Sequence, residues 1–285
     1  MGKYRKILVS LDGSESGRNA LVQSFALARD EKCWLTAATV VPGVEGDLEL
    51  VGLGDVRAAL RKPGEAILSQ ARELAETERV PLKTVLAEGE AWERLVHLAD
   101  DQRCDLIVMG RRGLRRLERV MMGSVTARVI GHTASDVLVV PQGTALSFKR
   151  ILVATDGSPT SAAGADHAVN VAASYGGELV ALSVVDLPDD AFAEAPKVAE
   201  QLLEKAQGYV AAVKARADAA GVPCTVATLE GPVHDVVTRI ARERQAGLIV
   251  TGSHGRTGLR RLLVGSVAEK VIGYAPCPVL VVKGE

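Results

Sequence analysis

The chain repeats itself. KYRKILVSLDGS at residues 3–14 returns as SFKRILVATDGS at 147–158, which sets Ile7, Val9, Asp12, Gly13 and Ser14 on Ile151, Val153, Asp156, Gly157 and Ser158. The same offset of about 144 residues sets Thr39, Val40 and Val41 on Ser183, Val184 and Val185. After a two-residue shortening, DLIVMG (105–110) falls on GLIVTG (247–252), and GSVTARVIGHTASDVLVV on GSVAEKVIGYAPCPVLVV. Similarity this long marks a duplicated domain. The expected domains are 1–143 and 147–285, meeting at PQGTALS (141–147), where proline and glycine punctuate the end of an apolar strand.

Within each copy, short continuous apolar runs alternate with longer segments of helical period, the signature of parallel strands crossed by helices. The pattern predicts strands near 6–11, 34–41, 82–88, 105–110 and 137–140, with helices near 14–30, 57–79, 90–102 and 123–132. The second copy predicts strands near 150–155, 178–186, 223–229, 247–252 and 278–282. The fold class is therefore α/β, with two tandem doubly wound five-stranded parallel sheets of strand order 3-2-1-4-5. PGVEGDLELVGLGD (42–55) is glycine-rich and patternless, and is expected to be a mobile loop over the carboxyl edge of the first sheet.

Composition removes several classes of partner. Lys+Arg 34 against Asp+Glu 35 gives a formal charge of -1, without the basic excess that drives binding to phosphate backbones, and aromatic residues make up only 3% of the chain. No nucleic-acid partner is expected, and any anion site must be local. Cys33, Cys104, Cys224 and Cys277 form no CxxC pair and lie in or beside apolar runs, as reduced core thiols do. MGKYRKILVSLDGS enters a strand pattern at once, and no apolar run approaches the roughly 18 residues that span a bilayer. The expectation is a cytoplasmic protein with no membrane partner.

In doubly wound sheets, ligands bind outside the carboxyl ends of the strands where strand order reverses. That selects the DGS turn after the first strand and the loop after the fourth. In the second copy the latter reads Gly252-Ser253-His254-Gly255, nine residues, then Gly265-Ser266-Val267 opening a helix. Glycines at 252 and 255 let backbone approach a ligand and let successive N–H groups converge on an anion. Gly265-Ser266 places bare amides at a helix start, where unpaired donors and the dipole favour negative charge. Arg256, Arg260 and Arg261 add charge-assisted donors, and the expected ligand is a phosphate chain. Asp156 faces the crevice from the other side. A carboxylate there repels phosphate but accepts hydrogen bonds from a ribose or a base edge, which orients a nucleotide with its sugar and base toward the first two strands. No GxGxxG follows the first strand and no GxxxxGK(S/T) is present, so no lysine stands ready for phosphoryl transfer and no catalytic residue is assigned.

GSHG, nine residues and GS, together with a DGS turn after the first strand, resemble the universal stress protein family in its tandem form, over nearly the whole chain. The resemblance implies an adenine nucleotide alpha hydrolase-like fold that binds ATP or another adenine nucleotide. It places Asp156 and Val185 near adenosine in the second copy, and Asp12 and Val41 in the first. Members of the family also pair through the last strand, here 137–140 and 279–282, so the two copies are expected to cover each other as an internal pseudo-dimer, with a homodimer as a further state.

The first copy keeps the spacing, as Gly110, Gly113, nine residues, then Gly123-Ser124-Val125, but changes the filling. The Ser-His pair becomes Arg111-Arg112, and Gly258 becomes Arg116 in a run that also holds Arg115, Glu118 and Arg119. These arginines either strengthen phosphate binding or fill its space. Three functions stand side by side: a non-catalytic nucleotide-binding stress or signalling protein, a slow Mg²⁺-dependent ATP hydrolase, and a scaffold in which one or both sites, the first foremost, are degenerate. No metal ligands are assigned. His97, His132, His167 and His234 lie in helical segments without partners at metal-ligand spacing.

Overall fold

The computed structural model describes residues 4–43, 54–111, 122–187, 195–253, 255 and 264–284. They form two compact units that separate between Gly143 and Thr144.

Unit 1 runs β1 (Lys6–Ser10), α1 (Glu15–Glu31), β2 (Trp34–Val41), α2 (Gly54–Glu78), β3 (Leu82–Glu88), α3 (Ala91–Gln102), β4 (Leu106–Gly110), α4 (Ser124–His132) and β5 (Asp136–Val140). Its strands lie in the order β3-β2-β1-β4-β5, each pair parallel. Unit 2 runs β6 (Arg150–Ala154), α5 (Pro159–Tyr175), β7 (Glu178–Val185), α6 (Pro196–Ala219), β8 (Cys224–Glu230), α7 (Val233–Glu243), β9 (Leu248–Gly252), α8 (Ser266–Tyr274) and β10 (Val279–Val282). Its order, β8-β7-β6-β9-β10, is again parallel throughout. Both copies thus have the doubly wound 3-2-1-4-5 arrangement.

Burial explains the apolar runs. Ile7, Leu8 and Val9 are all 0% exposed, as are Ile151, Leu152 and Val153. Neighbouring residues of a strand point to opposite faces, so both faces of β1 and β6 are covered and alternation with polar residues would leave one face badly solvated. The first crossings start on serine caps. Ser14 accepts the amide of Gly17 at 3.0 Å, and Ser158 that of Ser161 at 3.3 Å. Their ends turn left-handed at Lys32 and Gly176.

The expected loop at 42–55 is shorter than its composition suggested. Gly54 already begins α2, while 44–53 lie outside the described residues. The helix runs through Pro63, which removes an internal amide donor, and the next residue carries its contact with the sheet. A Cβ at Gly64 would stand 2.6 Å from Leu86 Cδ1 and 2.7 Å from Val41 Cγ1. Glycine there lets the helix backbone rest on the ends of β2 and β3.

The cysteines are free thiols, Cys104 and Cys277 buried. Burial pushes Cys33 and Cys104 up to about 11 and Cys277 to about 12. Among the described residues no group of three His, Cys, Asp or Glu side chains is placed to hold a metal ion, and no helix is long and apolar enough to cross a membrane.

Candidate functional site

The crevice at the carboxyl ends of β1 and β4 is built by two tight turns and a bridged loop, twice over. In each DGS turn the glycine is left-handed, with φ +82° at Gly13 and +77° at Gly157, a conformation that disfavours a side chain. The aspartate before it closes an Asx turn. Asp12 Oδ1 accepts both the amide and the hydroxyl of Ser14, at 3.0 and 2.6 Å, and Asp156 Oδ1 accepts the amide of Ser158 at 3.0 Å. Asp12 is exposed and Asp156 half-buried, so each carboxylate stands at the mouth while its serine starts the following helix.

Gly110 and Gly252 have a packing role that spacing alone does not reveal. A Cβ on Gly110 would lie 2.7 Å from the amide nitrogen of Gly17 and 2.8 Å from Ser16 Oγ. On Gly252 it would lie 2.8 Å from Thr160 and 2.9 Å from the amide of Ser161. The close approach these glycines permit is that of the first turn of α1 or α5 to the end of β4 or β9. Ser16 adds a hydrogen bond to the carbonyl of Val140 at 3.0 Å.

The loop that follows is fastened at both ends in the same way in each unit. Arg111 donates its amide to Val140 and accepts that of Gly123, both at 3.0 Å; Ser253 donates to Val282 at 3.2 Å and accepts from Gly265 at 3.0 Å. The nine-residue spacing therefore spans a closed bridge, and Gly123 and Gly265 are the residues on which it closes. Each is also a helix N-cap without a side-chain capping bond. Ser124 and Ser266 stand exposed just inside, beside Val125 and the exposed Val267. With no capping side chain in the way, the first amides and the positive end of the dipole face the loop. In unit 2 the loop comes back onto the aspartate: a Cβ at Gly255 would stand 2.8 Å from Asp156 Oδ2. Gly113, Arg112, Arg115, Arg116, Glu118 and Arg119 of the first loop, and His254, Arg256, Gly258, Arg260 and Arg261 of the second, lie outside the described residues.

Val41 and Val185 close the other end of the crevice, both buried at the end of the second strand. Their carbonyls accept the amides of Gly89 and Gly231 at 3.0 and 3.1 Å. Sequence reasoning missed what surrounds them. Beside Val41, Glu88 binds Arg57 at 2.9 Å and Arg61 at 2.5 Å, and these two guanidiniums hold its carboxyl below the usual range. Beside Gly157, the ring of Tyr209 fills the space a Cβ would need, with Cε1 2.2 Å from it; beside Gly13 the counterpart is Ile67, at 3.1 Å. A signal existed in the second register of the repeat: the shift that maps Glu88 onto Glu230 also maps Ile67 onto Tyr209 and Arg57 onto Ala199.

Two of the helical histidines, His132 and His234, sit against aromatic rings. His132 stacks on Trp92 at 4.3 Å and meets the Arg128 carbonyl at 2.8 Å, while His234 faces Tyr274 at 5.7 Å.

Comparison with known proteins agrees with this architecture. A universal stress protein of Methanocaldococcus jannaschii is 42% identical over 142 residues, covering 48% of this chain and 82% of the relative. Another, from Mycolicibacterium smegmatis, is 30% identical over 221 residues, covering 74% of this chain and 71% of the relative. The crystal structure of a universal stress protein from Archaeoglobus fulgidus matches with a TM-score of 0.72 at 20% identity, covering 99% of this chain and 97% of that one, which shows a shared fold. The profile of the universal stress protein family matches twice, at residues 3–141 and 147–283. With the family pattern fitted once to each copy of the duplicated sheet, the chain belongs to the universal stress protein family in its tandem form.

Proposed function

We propose that the chain is a stress-response protein of the cytoplasm that binds an adenine nucleotide, ATP foremost, without using it as a substrate. The observation that carries the reading is the pair Gly265 and Asp156. An uncapped helix start and a turn carboxylate lie on opposite sides of one crevice, joined by a loop that brings Gly255 against the carboxylate. Phosphates suit the first and ribose hydroxyls the second. On this reading Gly252, Ser253, His254, Gly255, Arg256, Gly265, Ser266 and Val267 hold the phosphate chain, with Asp156 and Val185 at the nucleoside. In unit 1, Gly110, Gly113, Gly123, Ser124, Val125, Asp12 and Val41 have the same roles. Mg²⁺ would enter as a counter-ion of the phosphates. The pairing through 137–140 and 279–282 belongs to the same proposal.

Equilibrium titration with ATP tests it. Gly265→Val puts a branched side chain at the helix start and is expected to weaken binding at unit 2 by at least tenfold, the factor that corresponds to about 1.4 kcal/mol. Equal affinity in wild type and variant would sink the reading. Phosphate release above buffer background by pure protein with Mg²⁺ would replace the non-catalytic reading with a slow hydrolase.

A further inference from the structure

The first two helices of each unit enclose different spaces. In unit 1 a cavity of about 520 Å³ opens between α1 and α2, a size within the range of small-ligand sites. Part of its lining is apolar: Leu21 and Ala71 are buried, Ile67 and Leu74 half-buried. The rest carries charge of both signs. Glu15 and Arg18 line the cavity from α1 and Glu73 from α2. All three are exposed, and none has a side-chain hydrogen bond or ion pair among the described residues. The cavity shares the Gly13-Ser14 turn with the crevice already described, but Asp12, Val41, Gly110 and Gly123 take no part in its walls.

Unit 2 fills the matched positions and removes their charge. Ile67 and Ala71 become Tyr209 and Val213, with the Tyr209 ring against Gly157 and Val213 buried. Glu15, Arg18 and Glu73 become Pro159, Ala162 and Ala215. A smaller hollow of about 390 Å³ lies further along α5 and α6, and there the two charged side chains, Arg216 and Asp166, bind each other at 2.7 Å.

We propose that the cavity between α1 and α2 binds a zwitterion with an apolar body, namely a free amino acid with a bulky apolar side chain. A guanidinium without a partner takes a carboxylate, because its forked N–H donors match the two oxygens. Carboxylates without a partner accept from an ammonium, which has only donors to offer. A ligand with one charge complements one sign on these walls and is repelled by the other, whereas a ligand with both complements both. The side chain of the amino acid covers Leu21, Ala71 and Leu74, a burial that glycine cannot supply.

Calorimetric titration of the full chain with L-phenylalanine tests this, beside glycine, 3-phenylpropanoate and 2-phenylethylamine, which lack the side chain, the ammonium and the carboxylate in turn. L-Phenylalanine is expected to bind, and each of the other three to bind at least about tenfold more weakly, the effect of losing one charge-assisted bond or the apolar contact. Arg18→Ala gives α1 the residue that unit 2 carries at the matched position. It is expected to weaken L-phenylalanine about tenfold without weakening 2-phenylethylamine. Ile67→Tyr brings the unit 2 ring into the cavity and is expected to abolish binding. Arg18→Ala, at an exposed position, keeps the test decisive whether or not Ile67→Tyr folds. The proposal is overturned by no saturable binding of L-phenylalanine at millimolar concentration, by equal affinity for either singly charged analogue, or by unchanged affinity in Arg18→Ala.

Discussion

At the scale of single residues, the missing side chains of Gly110 and Gly252 decide how the crevice is built. Each lets the first turn of a helix rest on the end of a strand, and an added methyl would meet backbone at 2.7 to 2.9 Å. Backbone in a packed turn yields little. Gly110→Ala and Gly252→Ala are each expected to destabilise their unit by about 1–3 kcal/mol, the usual cost of overpacking. Chemical denaturation checks this, and an unchanged midpoint would show that the first helix can retreat. The sequence signalled these glycines by spacing but not this reason for them, because the atoms they accommodate belong to a helix whose approach is set by tertiary packing. The local bonds of Asp12, Ser14, Asp156 and Ser158 join residues two or three apart, so the DGS turn that the sequence shows contains both partners of each Asx bond and the serine of each cap.

At the scale of elements, the strands were read well because continuous apolar runs have one stable use, a sheet covered on both faces. The start of α2 was misjudged because glycine and valine there weaken the helical pattern, and what holds the helix is long-range. Arg57 and Arg61 bind a glutamate 31 and 27 residues further on, a separation at which no local periodicity operates. This bond has a pH dependence of known sign. The arginines lower the carboxyl pKa of Glu88 in the folded chain, so their contribution is present above the ordinary glutamate range and is lost as pH falls through the lowered value. Amide protection over Arg57–Lys62 is therefore expected to fall in acid, and Glu88→Gln to remove that dependence. Hydrogen exchange corrected for its intrinsic rate checks both; protection that declines equally in the variant would assign the effect to other groups.

At the scale of the whole molecule, duplication was the most legible feature, since it needs only a comparison of the chain with itself. It also makes the chain its own control, because two copies of one frame carry different residues at matched positions. If the last strands pair as proposed, the fragment 147–285 made alone presents its own 279–282 strand and is expected to form a dimer. Sedimentation equilibrium decides this, and a stable monomer at micromolar concentration would count against the pairing. The bonds that fasten each loop, Gly123 to Arg111 and Gly265 to Ser253, join backbone to backbone. These two bonds themselves do not depend on which side chains the residues carry. The same pair of closing bonds therefore frames inserts of one length and different composition, arginine-rich in the first copy and containing glycine and serine in the second. A gene duplication that begins with two equal nucleotide clefts thus has a ready route to two different ones.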